Sequence, residues 1–195
     1  MSLFVLSRHA ESTLNHEHRI NGDPSLQVGL TEGGVTQARL LGFELAGIPL
    51  GLAVHTRFGR TRMTAELALE GRSVPFFEEP LLDDVNVGEL EGRPVGDYSA
   101  WKRQHARSDP FPGGESLVDA ARRYASGFRT LLARDEQRLL VVCHEILIRY
   151  ALNAAAGSDD LDGPVHAIPN ALPFLFDAEA LERAAARIEQ LIDLS

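Results

Sequence analysis

Two histidines stand out by their neighbours. His9 follows Arg8 at the end of the apolar run Leu3–Leu6, and His144 follows the apolar run Leu139–Val142 by two residues. Arg60 lies shortly after a third such run, Leu52-Ala53-Val54, and Asp84 sits in an acidic stretch further on. A neutral imidazole nitrogen is a competent nucleophile near neutral pH when its other nitrogen is held by a hydrogen bond. A guanidinium presents a planar fork that matches phosphate oxygens two at a time. A phosphoryl group is therefore the natural substrate of two histidines, a pair of arginines and a carboxylate. Positioning and charge stabilisation would supply most of the catalysis.

Such a set works only if the fold gathers it. The runs at Leu3–Leu6, Leu52–Val54 and Leu139–Val142 read as buried strands, with Val74–Phe77 and Leu172–Phe176 as further short ones. Helical spacing follows Thr31, covers Thr61–Leu69, resumes after Ser116 with Asp119 as a capping partner, and recurs over Ile146–Ala155 and Ala178–Leu191. Between them, residues 81–115 form a loop-rich excursion broken by Pro94, Pro110, Pro112, Gly113 and Gly114, with a short helix around Tyr98–His105. Strand and helix alternate, which predicts an α/β layered fold with a mostly parallel sheet. Ligands collect where the carboxyl ends of such strands feed into loops. Those ends carry Arg8-His9, His55 through Arg60, and Cys143-His144.

Composition narrows the partners. A chain of 195 residues with 44% apolar content suits one domain spanning 1–195, with the excursion over the site. Nineteen basic side chains against twenty-eight acidic give a net charge of −9, unsuited to general nucleic-acid binding. A single cysteine and a longest N-terminal apolar run of four residues predict a cytoplasmic protein with no membrane span. Cys143 reads as an inert buried thiol, because adjacent strand residues point to opposite faces and it could not meet His144. His144-Glu145 lacks the second histidine of a zinc-protease helix, having Ile148 there. His16-Glu17-His18 has no obvious third ligand, so no metal is called for. Arg57 and Arg62 read as surface charges. A homodimer is left open.

Arg8-His9-Ala10-Glu11-Ser12 followed by Asn15 resembles the Arg-His-Gly-Glu-Thr/Ser…Asn signature of the histidine phosphatase (phosphoglycerate mutase-like) superfamily. Further segments are similar in the same order: Leu30-Thr31…Gly34…Gln37-Ala38, Arg60 with Thr64-Ala65, and Gly88-Glu89-Leu90-Glu91-Gly92. Pro112-Gly113-Gly114-Glu115-Ser116, Val141-Val142-Cys143-His144 with Ile148-Arg149, and Asn170-Ala171 continue the series. The resemblance implies a three-layer αβα sandwich and a phosphohistidine intermediate. His9 would attack phosphorus, Arg8, Asn15, Arg60 and His144 would hold the phosphoryl oxygens, and Asp84 would protonate the leaving group. It implies no metal and no organic cofactor.

Four positions depart from the pattern. Ala10 replaces Gly, Leu90 stands where Trp is frequent, Asp84 is one methylene shorter than Glu, and Glu145 replaces the Gly after the second histidine. A carboxylate at 145 would repel a dianion unless it turned away or paired with an arginine, so Glu145 joins the candidate substrate-binding residues. The reading predicts a cofactor-independent phosphomonoesterase acting on a small phosphorylated metabolite. The alternatives are a phosphoglycerate mutase, which the resemblance associates with a longer lid, and a non-catalytic phosphate-ligand binder. Specificity is expected in the excursion and in His16–Gln27.

Overall fold

A computed structural model describes residues 2–26 and 28–193; Gln27, the end of the stretch expected to carry specificity, lies outside the described residues. Five strands, β1 (Leu3–Arg8), β2 (Leu52–His55), β3 (Phe76–Glu78), β4 (Arg138–Cys143) and β5 (Pro173–Asp177), form one sheet in the order β3-β2-β4-β1-β5. All neighbouring pairs are parallel except β1 with β5, which are antiparallel. β5 is an edge strand that opens on Pro173, and a proline is tolerated in that place because no ladder hydrogen bond depends on its missing N–H.

The two central strands are apolar on both faces because both faces are covered. Phe4, Leu6, Leu139, Val141 and Cys143 point into one core with α5 (Leu117–Leu132), α6 (Glu145–Ala155) and α7 (Ala178–Asp193). Val5, Leu140 and Val142 point the other way, against α2 (Glu32–Glu44) and α3 (Gly59–Ala68). This is the expected three-layer αβα arrangement. Each fully buried Leu, Val or Phe contributes about 1.5–3 kcal/mol. The helix starts follow their caps: Thr31 accepts from Gly34 N–H, and Ser116 and Asp119 form a reciprocal capping box. Cys143 is fully buried, and burial pushes its thiol far above the ordinary range.

The sheet register does the gathering. Arg8 lies opposite Cys143, and His55 lies opposite Val142. The residues that leave the three strand ends, His9, Thr56 and His144, therefore emerge side by side. Outside the sheet lie α1 (Thr13–His16), α4 (Val95–Gln104) and two single 3₁₀ turns at Pro80–Leu82 and Gly88–Leu90. The short helix expected near Tyr98–His105 starts three residues earlier, directly after Pro94, which is its N-cap. Among the described residues no helix is long and apolar enough to cross a membrane.

Candidate active site

The loop after β1 is tied at almost every residue. His9 N–H extends the β1–β4 ladder to the Cys143 carbonyl (3.0 Å), and Asn170 Nδ2 donates to the His9 carbonyl (2.7 Å). Ala10 N–H donates to Thr64 Oγ1 (3.0 Å), and Glu11 N–H to Gln37 Oε1 (2.9 Å). Ala10 is fully buried in the smaller core and has no positive φ, so its methyl group sits where the family's glycine would without backbone strain. Leu90 likewise fills the larger core in place of an aromatic ring.

His9 Nδ1–H donates to the Ala10 carbonyl (2.8 Å), which leaves the Nε2 lone pair outward; Arg60 Nε–H donates to it at 2.9 Å. Arg60, at the start of α3, bridges the whole cluster. Its Nη2 donates to Asp84 Oδ2 (3.0 Å), His144 Nδ1 (3.2 Å) and the Asn21 carbonyl (3.0 Å), while Nη1 donates to Asn21 Oδ1. The rings of His9 and His144 meet edge-on with centroids 5.5 Å apart. His144 Nε2 lies 2.9 Å from Thr56 Oγ1, which in turn faces Thr61 Oγ1 at 2.9 Å; Thr61 donates to the Phe58 carbonyl at 2.8 Å. With Arg60 donating to Nδ1, the chain has one consistent polarity: His144 Nε2–H to Thr56, Thr56 to Thr61, Thr61 to backbone. The tautomer of each histidine follows from its partner.

Burial sets the charge states. Desolvation holds the His9 imidazole well below its ordinary range, and Arg60 and Arg8 push the same way. His144 is lowered by the same burial, then by Arg60 and by His9. Burial pushes the Asp84 carboxyl up, against the opposing pull of Arg60, the Val85 N–H and Arg8. Arg60 itself is lowered to about 10 by desolvation, with Asp84 resisting. Two neutral imidazoles beside a carboxyl biased toward its protonated form are the charge states that nucleophilic attack and leaving-group protonation require.

These groups open on a cleft of about 290 Å³. Arg8, His9, Asn15, Arg60, Asp84 and Glu145 all line it, as do Asn21, Arg149 and the apolar Ile20, Val87, Val95 and Ile146. His144 does not: it is fully buried and reaches the cleft through Arg60 and Asp84. Asn15 is the third residue of α1, with its Oδ1 accepting from Ser12 N–H at 3.3 Å. Glu145 pairs with an arginine, which offsets part of the expected repulsion: its Oε2 is 2.8 Å from Arg8 Nη1. Arg57 is half exposed and pairs with Asp83, and Arg62 pairs with Glu66 on the exposed side of α3.

Sequence reading missed Asn21, Thr56 and Thr61, and it gave Glu91 no role beyond its place in the Gly88–Gly92 segment. Glu91 instead braces Asn21: its Oε1 accepts from Asn21 Nδ2 (3.1 Å) and its Oε2 from Gly22 N–H (2.6 Å). The only local signal was the Asn-Gly pair. At Gly22 a Cβ would come 2.2 Å from the Val85 carbonyl, so the chain passes too close to the Asp84 segment for any side chain.

The histidine phosphatase superfamily (branch 1) model matches residues 4–190. A 2,3-bisphosphoglycerate-dependent phosphoglycerate mutase 2 of Gloeobacter violaceus is 34% identical over 135 residues, 63% of this chain and 60% of that protein. A probable phosphoglycerate mutase GpmB of Proteus mirabilis is 29% identical over 78% of this chain and 74% of its own length. Among solved structures, YhfR of Bacillus stearothermophilus superposes with a TM-score of 0.80 at 24% identity, covering 91% of both chains. A putative alpha-ribazole-5'-P phosphatase of Escherichia coli gives 0.77 at 23% identity, covering 89% of both. At such identities these two structures speak to the fold alone. The family match over nearly the whole length, on a chain whose paired histidines and bridging arginine meet at one sheet edge, places this protein in the histidine phosphatase superfamily, branch 1.

Proposed function

We propose that the protein hydrolyses a small phosphomonoester through a phosphohistidine at His9. The observation that carries the reading is the Arg60 guanidinium, which bonds at once to His9, Asp84 and His144. In the first step Nε2 of His9 forms a bond to phosphorus as the ester P–O bond breaks in line with it. The Nδ1–H bond to the Ala10 carbonyl keeps the ring oriented and stabilises the charge it gains. Arg60 turns its N–H groups from Nε2 to the phosphoryl oxygens, and Arg8 and Asn15 hold the remaining oxygens from the cleft wall. Asp84 gives its proton to the departing alkoxide. In the second step Asp84, now a carboxylate, takes a proton from water; the oxygen attacks phosphorus, the P–N bond breaks, and inorganic phosphate leaves.

A second reading, a phosphoglycerate mutase, is favoured by the names of the two sequence relatives. It shares the first step and differs in the acceptor, which is bound phosphoglycerate instead of water. Brief incubation with a radiolabelled phosphate ester and rapid denaturation is expected to trap an acid-labile, base-stable phosphoprotein, absent from His9→Ala. Label that persists in His9→Ala, or that sits on serine or aspartate, refutes the mechanism. Adding 2,3-bisphosphoglycerate and 3-phosphoglycerate then separates the two readings by whether phosphate is released or returned. Phosphate binding with neither labelling nor turnover would leave a non-catalytic phosphate binder.

A further inference from the structure

Glu145 is the first residue of α6, where the positive end of the helix favours a carboxylate. Its Oε2 meets Arg8 Nη1 at 2.8 Å, while Oε1 has no hydrogen-bond partner among the described residues. The side chain is 31% exposed and lines the cleft. The same Arg8 Nη1 also donates to the Ile168 carbonyl (2.8 Å), so Arg8 cannot follow a ligand far without leaving that bond. One turn further along α6, Arg149 also lines the cleft, but its Nη2 is bound to Asp162 (2.7 Å) and its Nη1 to the His166 carbonyl (3.2 Å). Arg60 faces Asp84 (3.0 Å), and the half-exposed Arg19, the fourth arginine of the lining, faces Glu17 (4.0 Å). Each of these four guanidinium groups thus already has a carboxylate within ion-pair distance.

The consequence concerns the alcohol half of the substrate. The phosphoryl dianion, with its larger charge, can draw Arg8 and Arg60 away from their carboxylates beside His9. A singly charged second group on the same molecule would find Glu145 next to the phosphoryl site and only guanidinium groups that a carboxylate already faces. A hydroxyl or ammonium group, by contrast, would find the vacant acceptor Oε1. Resting on the phosphatase reading, we propose that Glu145 is the specificity-determining residue of the cleft: it accepts a hydrogen bond from a hydroxyl or ammonium group on the substrate's alcohol portion and rejects esters that carry a carboxylate there. Specificity of this kind needs the repulsive element as much as the attractive one.

Glycerol 3-phosphate and 3-phosphoglycerate test this as a matched pair. Both are three-carbon phosphomonoesters, and they differ in a terminal CH₂OH against a carboxylate. Any repulsion between Glu145 and the phosphate itself cancels in their ratio. The wild type is expected to favour glycerol 3-phosphate in kcat/KM by at least about tenfold. Glu145→Gln, which keeps the size and an acceptor but drops the charge, is expected to bring the ratio to about threefold or less, chiefly by improving 3-phosphoglycerate. Equal use of the two esters by the wild type, or a ratio unmoved in Glu145→Gln, overturns the proposal. If that variant does not fold, the wild-type ratio decides alone. Calorimetric binding of the same two esters to His9→Ala reads the discrimination without turnover. Absence of hydrolysis by the wild type would count against the phosphatase reading, while the binding ratio would still decide on Glu145.

Discussion

Asp84 and His9 face each other across Arg60 with their proton affinities shifted in opposite directions. Burial raises the carboxyl and lowers the imidazole, so Asp84 tends to keep its proton and His9 tends to lack one. In the proposed mechanism the productive form has His9 neutral and Asp84 protonated. Activity is lost at low pH as His9 protonates and at high pH as Asp84 ionises, so kcat/KM should be bell-shaped with its optimum below the ordinary histidine pKa of about 6.5. Asp84→Asn should remove the alkaline limb. It should also lower kcat/KM by about 10²–10⁴ for an alkyl phosphate, whose alkoxide needs the proton, and by about tenfold or less for p-nitrophenyl phosphate, whose leaving group does not. Steady-state kinetics on the two esters across pH 4–8 checks this. An equal loss on both would mean that Asp84 shapes the site without acting as its acid.

The elements reach the chemistry through close backbone contacts, and Gly34 in α2 is the tightest. A Cβ there would lie 2.1 Å from the Glu11 carbonyl, two residues past His9. The same helix holds that loop through Thr31 Oγ1–H donating to Glu11 Oε1 (2.7 Å) and Glu11 N–H donating to Gln37 Oε1 (2.9 Å). Gly34→Ala should therefore move α2 off the loop, costing about 1–3 kcal/mol and lowering kcat along with stability. Gly47→Ala, with nothing within 4 Å of the added carbon, is the control that should change neither in urea unfolding and turnover assays. The glycine was legible in the sequence as part of a motif; its reason was not, because the contact is tertiary. The same division runs through the rest. β4 was legible because Leu139–Val142 is buried on both faces, and the start of α5 because Ser116 and Asp119 carry a local cap. α1, with four residues, is too short to show a period. Asn21 showed locally only as half of an Asn-Gly pair, since its partner Arg60 lies 39 positions away and no local pattern encodes a buried amide's need for a donor.

For the whole molecule, two buried neutral histidines make stability depend on pH. Folded His9 and His144 bind protons less readily than the unfolded chain does, so in this window the unfolded state takes up more protons as pH falls. Their contribution is full above about pH 6.5 and is lost below it, at about 1.4 kcal/mol per pH unit for each. Asp84 acts in the opposite sense. Its raised carboxyl binds a proton more readily when folded, which returns stability as pH falls toward the ordinary aspartate range. Between pH 6.5 and the point where Asp84 begins to protonate, the histidines act unopposed. Against a typical total of about 5–15 kcal/mol, a loss approaching 2–3 kcal/mol per unit is large. Urea unfolding at pH 7.5, 6.5 and 5.5 should show the fall, and His144→Gln should reduce its slope by one proton's worth. Saturating inorganic phosphate should flatten it further, because an anion beside His9 and Arg60 favours the protonated imidazole and removes the difference between folded and unfolded chains. A wild-type stability that is level across this range would mean that the two rings are not buried neutral, and a slope indifferent to phosphate would mean that no anion binds beside His9.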